Sequence, residues 1–361
     1  MTTLAASADI APIHRRRGRL VAYGGIFAAA ILVLSVVVAL ATGPVAIPVS
    51  RLARLALSWL SGENDASMAR DWLVLMNIRL PRVVLGILLG SGLSVAGAIM
   101  QGLFRNPLAD PAIVGVSSGA ALAAAATIVL GDRLLPLSPM MMQGVILPIA
   151  AFVGSLLAAG ALYAISTREG QTSTTTMLLA GIAISALAAS GIGLLIYISD
   201  DRQLRDITFW TMGSLGGANW WKVSVAVPVM LVLFISSKFL ANGLNALALG
   251  EAAAFHVGHR VQLIKVVSIV LIGLATGVGV AAAGVISFVG IVVPHLVRLA
   301  IGPDYRSLLP ISALLGASLL VAADACARTI VAPADLPIGI LTALVGAPFF
   351  LWLLLRRERS F

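Results

Sequence analysis

Gly115-Val116-Ser117-Ser118-Gly119 carries the residue types of a serine-hydrolase nucleophile elbow. In that device a serine on a sharp strand-to-helix turn attacks a carbonyl, and a histidine within hydrogen-bond reach takes its proton. Here the pattern opens an apolar stretch in a chain with 35 glycines, where such matches arise by chance. Helix start and helix packing are therefore the expected roles, with an intramembrane serine protease as the enzymatic alternative. His256 and His259 stand three apart, a spacing that can put two metal ligands on one helix face. Zinc takes three or four protein ligands, and no cysteine or carboxylate joins the pair at ligand spacing. No metal site and no catalytic residue are expected. No GxxxxGK(S/T) sequence occurs either, so any dependence on ATP has to come through a partner.

The remaining chemistry is charge inside apolar runs, where ionisable side chains are expensive and are functional candidates by default. Asp324 and Arg328, four apart, would make a helical ion pair worth roughly a few tenths of a kcal/mol. Arg79 and Arg82 flank Pro81 at the mouth of a long apolar run, where snorkelling to lipid headgroups is the plain expectation. Against it, three arginines gathered on an outer rim would suit an acidic ligand or an acidic protein partner.

The elements that must position these residues are membrane spans. Hydrophobic residues make up 60% of the 361 and charged residues 11%, against about a quarter charged in soluble domains, with a mean hydropathy of +1.03. A bilayer core about 30 Å thick needs about 20 apolar helical residues, because every backbone polar group must be paired there. Long unbroken apolar runs, in place of alternating ten-residue strands, exclude a transmembrane barrel. The fold class is all-α and polytopic. A polar, basic N-terminal tail (1–19) precedes a retained first span, 20–41, longer than a signal-peptide core. Further spans are expected at 83–104, 116–130, 145–165, 177–198, 223–239, 261–282, 285–301, 308–330 and 338–355, ten in all within a single domain, 20–355. The segments 200–220 and 240–260 are too polar to span and read as interfacial or cytoplasmic helices.

Ten spans put both termini on one side, with a basic C-terminal tail at 356–361. The net charge of +9 is topogenic: Arg15, Arg16, Arg17, Arg19, Arg356, Arg357 and Arg359 place both ends in the cytoplasm by the positive-inside rule. No basic patch interleaves with aromatics, so nucleic acid is not an expected partner. Gly86 and Gly90, and Gly273 and Gly277, have the spacing that lets helices approach closely in lipid. Ala96-Gly97-Ala98-Ile99 and Ala283-Gly284-Val285-Ile286 form a weak internal echo of the kind inverted transport repeats leave.

Several segments in order, RLPR (79–82), QGLFRNPLADP (101–111), LALGE (247–251), FVGIVVPHLVRL (288–299) and LPIGILTALVGAPFF (336–350), are similar to the permease subunits of ABC importers for iron-siderophores, haem and vitamin B12. The resemblance covers about residues 70–355. It implies a bacterial inner-membrane homodimer with two ATP-binding cassette subunits inside and a periplasmic binding protein outside. ATP and Mg would be bound by the partner ATPase, with no cofactor in this chain. It further implies that Arg79, Arg82 and Arg328 accept acidic side chains of the binding protein. Coupling helices fall at 245–258, with Leu249, Gly250, Glu251 and Ala252 in the ATPase-facing turn, and the cytoplasmic gate falls at Ser173, Thr174 and Thr175.

Segments 200–220 and 327–350 look most like haem permeases of the family, with ferric siderophore and cobalamin as alternatives. No histidine or tyrosine is placed as a haem ligand in the spans, which suits a pathway that passes a ligand on. An ion-coupled secondary transporter would need buried carboxylate relays at the midplane. Asp324 is the only acidic residue expected within a span, so that class is disfavoured.

Overall fold

The structure is a computed structural model that describes residues 10–61, 68–111, 115–134, 138, 141–332 and 334–357. Residues 1–9 and 358–361 of the expected tails, and part of the 131–143 loop, lie outside the described residues. The helices are α1 (Ile10–Ala41), α2 (Val49–Ser61), α3 (Ala69–Leu103), α4 (Val116–Leu134), α5 (Met142–Ser166), α6 (Thr174–Tyr197), α7 (Asp201–Met212), α8 (Trp220–Ala248), α9 (Glu251–His256), α10 (Val261–Ala283), α11 (Val289–Ile301), α12 (Tyr305–Ile330) and α13 (Ile338–Arg357). Two-residue strands β1 (Thr167–Arg168) and β2 (Gln171–Thr172) pair antiparallel between α5 and α6. Seven helices, α1, α3, α5, α6, α8, α10 and α12, are long and apolar enough to cross a membrane. Apolar stretches in α4, α11 and α13 are shorter.

The bundle is built around α3. In its most apolar window 83% of residues are buried, against 17% in α1 and 22% in α6, which face outward. Helices α8, α10, α11 and α12 all pack on it. Small residues make that crowding feasible, as the GxxxG spacings predict. A Cβ on Gly90 would overlap the carbonyl of Gly316 in α12, and a Cβ on Gly277 would overlap Ser155 in α5. With no hydrophobic force between helices in lipid, such backbone contact supplies the dispersion energy of association.

Four boundaries differ most from the sequence expectation, the first being the start of α3, which lies at Ala69 and not at Val83. The polar 1–19 segment is already helical from Ile10. The piece expected as a separate helix at 240–260 belongs to α8 as far as Ala248; nothing in Leu240–Ala248 breaks it, and the break waits for Gly250 at φ +111°. The span expected from Val285 begins only at Val289, because Gly284 (φ +73°) and Phe288 (φ +69°) hold left-handed backbone conformations that end α10 and delay α11. The two halves of the echo fall on different local structure, since Gly284–Ile286 follow the end of α10 while Ala96–Ile99 lie in the last two turns of α3.

The unwound backbone is paired at a three-way junction. Ser214 N–H donates to the Ala283 carbonyl at 2.7 Å, and Ile338 N–H donates to the Gly213 carbonyl at 2.9 Å. Irregular backbone at membrane depth needs such internal partners. The junction ties α7, the end of α10 and the start of α13 together.

Candidate functional site

The structure gathers the singled-out residues into two clusters. The first joins Arg79 and Arg82 of α3 to Asp324 and Arg328 of α12. Arg82 Nε lies 2.9 and 3.0 Å from the two Asp324 oxygens, and its Nη2 reaches Oδ1 at 2.9 Å. Its Nη1 binds Asp335 Oδ2 at 2.8 Å, from the segment leading into α13. Arg328 Nε meets Asp324 Oδ2 at 3.1 Å, and its Nη2 donates to the Ala39 carbonyl at 3.0 Å. Arg79 donates to the carbonyls of Leu40 and Val45. Arg79 and Arg328 thus cap the end of α1, satisfying carbonyls left unpaired there and complementing the helix dipole.

The three arginines do converge, but each is buried, 3% to 6% exposed, with its guanidinium turned into the protein. The expected Asp324–Arg328 pair does form, but it is buried, with Asp324 2% exposed, and Asp324 also binds Arg82 of α3. Three guanidiniums face two carboxylates, so the cluster keeps an excess positive charge. Sequence reasoning missed Asp335. Its signal was a carboxylate in a proline-flanked loop next to an arginine-bearing helix, which only the docking of α12 on α3 gives meaning.

The second cluster brings together several of the residues expected at the gate and in the ATPase-facing turn. Gly250, in a conformation that L side chains rarely adopt, turns the chain from α8 into α9, and Glu251 opens that helix. Leu249, Phe255 and Val257 are exposed to 78%, 70% and 73%. Ser173 caps α6 by accepting from the Thr176 N–H at 3.2 Å. Ser173, Thr174, Glu251 and Ala252 line one cavity of about 820 Å³, together with Gln262 and Lys265 of α10. Thr175 lies instead on a smaller cavity of about 210 Å³, shared by Thr174, with Asn106, Leu108 and Asp110. Leu249 and Gly250 line neither.

In the sequence Lys265 is only one of the basic residues behind the net charge of +9. It is 4% exposed, and its Nζ lies 2.8 Å from Glu251 Oε2 and 2.6 Å from the Thr172 carbonyl. The available signal was a lone cation set among the apolar residues of a spanning helix.

The GVSSG segment has no elbow geometry. Ser117 is buried in the first turn of α4, and the only strands among the described residues are β1 and β2. Gly119 packs backbone to backbone against Gly154 of α5, and Ser118 Oγ meets Ser185 Oγ of α6 at 3.3 Å. His295 is buried in α11 with its ring edge-on to Phe349 of α13, centroids 6.3 Å apart.

The bundle as a whole has counterparts among known proteins. The model of the FecCD transport family matches residues 31–356. The chain belongs to that family. It is 47% identical over 302 residues to the hemin transport system permease protein HmuU of Yersinia pestis, covering 84% of this chain and 88% of the relative. It is 45% identical over 281 residues to the cobalamin import system permease protein BtuC of Halobacterium salinarum, covering 78% and 73%. A metal-chelate type ABC transporter solved in an inward-facing conformation superposes with a TM-score of 0.79 at 30% identity, over 92% of this chain and 98% of that one. This FecCD-family chain is a multi-span permease of an ABC importer, a class that works with ATPase and binding-protein partners.

Proposed function

We propose that this permease moves haem inward as a homodimer in the bacterial inner membrane, both termini cytoplasmic, with ATP and Mg bound by two separate ATPase subunits. Docking of a periplasmic binding protein and ATP binding would each bias a two-state, alternating-access pathway. The observation that carries haem is the match to the hemin permease, which is both longer and of higher identity than the match to the cobalamin permease. The narrowness of that difference supports cobalamin as the second reading, with ferric siderophores as a third. Either way the chain passes its ligand on without coordinating it, a reading supported by the packing of His295 against Phe349.

Arg79, Arg82 and Arg328 act in docking through the positive excess of their cluster. Acidic side chains of the binding protein would compete with Asp335 for Arg82. Leu249, Gly250, Glu251 and Ala252 form the ATPase-facing turn, and the exposed apolar side chains around it are what a partner surface would cover. Ser173, Thr174 and Thr175 form the cytoplasmic gate. Proteoliposomes holding the whole transporter, offered haem, a ferric siderophore and cobalamin separately, test the proposal. ATP-dependent uptake of cobalamin alone would overturn the haem assignment.

A further inference from the structure

Thr172, the last residue before the gate, is held by its hairpin partner Thr167, whose Oγ1 lies 2.9 Å from its own, and by α10. Its N–H donates to Gln262 Oε1 at 3.1 Å, and its Oγ1 accepts from Gln262 Nε2 at 2.7 Å. Its carbonyl accepts from Lys265 Nζ at 2.6 Å. Gln262 and Lys265 are three apart and share one helix face, so one side of α10 grips both polar ends of a single residue. The same Lys265 ammonium binds Glu251 Oε2 at 2.8 Å.

A buried ammonium is tolerated only where partners replace its water, and charge-assisted hydrogen bonds are the strong kind. Its two partners here come from elements that no backbone hydrogen bond joins among the described residues: the β1–β2 hairpin and the turn into α9. Glu251 is 42% exposed at its side chain, so water could satisfy it without the lysine. The arrangement therefore connects two elements more than it protects a carboxylate.

We infer that Lys265, assisted by Gln262, is the positioning link that makes the ATPase-facing turn and the gate hairpin move as one body. The path runs from Glu251 through Lys265 to Thr172 and Ser173. A displacement of the turn by the ATPase pulls on Lys265, and through the Thr172 carbonyl it shifts the first residues of α6. This rests on the gate and coupling assignments proposed above. It adds the residues that join them, and neither is on the hairpin or in the turn.

The test uses the complete transporter in proteoliposomes, measuring uptake and ATP hydrolysis in the same vesicles. Lys265→Met should lower the substrate moved per ATP by about tenfold, the weight of one charge-assisted hydrogen bond. Lys265→Arg should restore most of it, a rescue that a volume-filling role would not predict. Gln262→Leu, which keeps the ion pair, should lower the ratio by a smaller factor. If Lys265→Met does not assemble, Gln262→Leu and Lys265→Arg decide alone. Wild-type transport per ATP in assembled Lys265→Met, or in Gln262→Leu where Lys265→Met does not assemble, would overturn the link. Leu249→Asp separates this from the underlying assignment. If it uncouples while Lys265→Met does not, the link fails alone; if it leaves coupling intact, the ATPase-facing turn has been misplaced.

Discussion

Arg82 and Asp324, 242 positions apart in the chain, meet with Nε at 2.9 and 3.0 Å from the two carboxylate oxygens. The pair fixes the Arg82 turn of α3 against α12, with both side chains buried.

Breaking that pair strands a buried charge, which typically costs about 3–5 kcal/mol. Asp324→Asn and Arg82→Met should each lower the thermal midpoint of the detergent-solubilised protein markedly. The double variant Arg82→Met/Asp324→Leu should recover part of the loss, because it leaves no uncompensated partner from this pair. Equal midpoints for wild type and Asp324→Asn would show that the pair carries no stability.

Asp335 occupies Arg82 Nη1 while remaining 36% exposed at its side chain. If acidic side chains of a binding protein compete for the same cluster, Asp335→Asn should tighten docking by roughly threefold to tenfold, on the scale of one partly exposed ion pair. The gain should shrink as salt rises and screening shortens the reach of charge. Titration of the purified binding protein at two ionic strengths measures it, and an affinity unchanged at low salt would remove Asp335 from the docking account.

Leu249, Phe255 and Val257 expose apolar surface beside the turn at Gly250. Replacing Phe255 with aspartate should release the ATPase subunit on size-exclusion chromatography while the permease alone stays folded. Truncation of a central apolar anchor usually costs an interface about 2 kcal/mol or more. Retention of full stoichiometry by Phe255→Asp would mean that this patch meets lipid or another partner.

Gly90 has no space for a methyl group, since a Cβ would overlap the Gly316 carbonyl on α12. Gly90→Ala should destabilise by about 1–3 kcal/mol, as overpacking of a close-packed interior does. Gly160, with nothing within 4 Å of its Cβ position, serves as the control, and Gly160→Ala should leave the midpoint unchanged or slightly raised. Thermal scans of both variants side by side decide whether close approach governs the α3–α12 contact.

The sequence by itself determined the solvent, the class and the family. Sixty per cent hydrophobic residues in long uninterrupted runs can satisfy their backbone in lipid only as helices, and that requirement is local. GxxxG spacing also announced close helix contacts, because small residues act through the backbone that carries them. RLPR and LALGE could be read as family segments without any knowledge of their neighbours.

Tertiary structure decided which way the charges face. Arg79, Arg82 and Arg328 read from the sequence as a docking rim, yet their guanidiniums turn inward to Asp324, Asp335 and the end of α1. Lys265 read as a topological charge, yet its partners Glu251 and Thr172 come from two other elements. Even helix ends moved: the end of α10 at Ala283 is held by Ser214, and the neighbouring Gly213 by Ile338, far away in sequence. An ionisable group's role depends on what reaches it within about 3–4 Å, and that is set by helix packing across the whole chain.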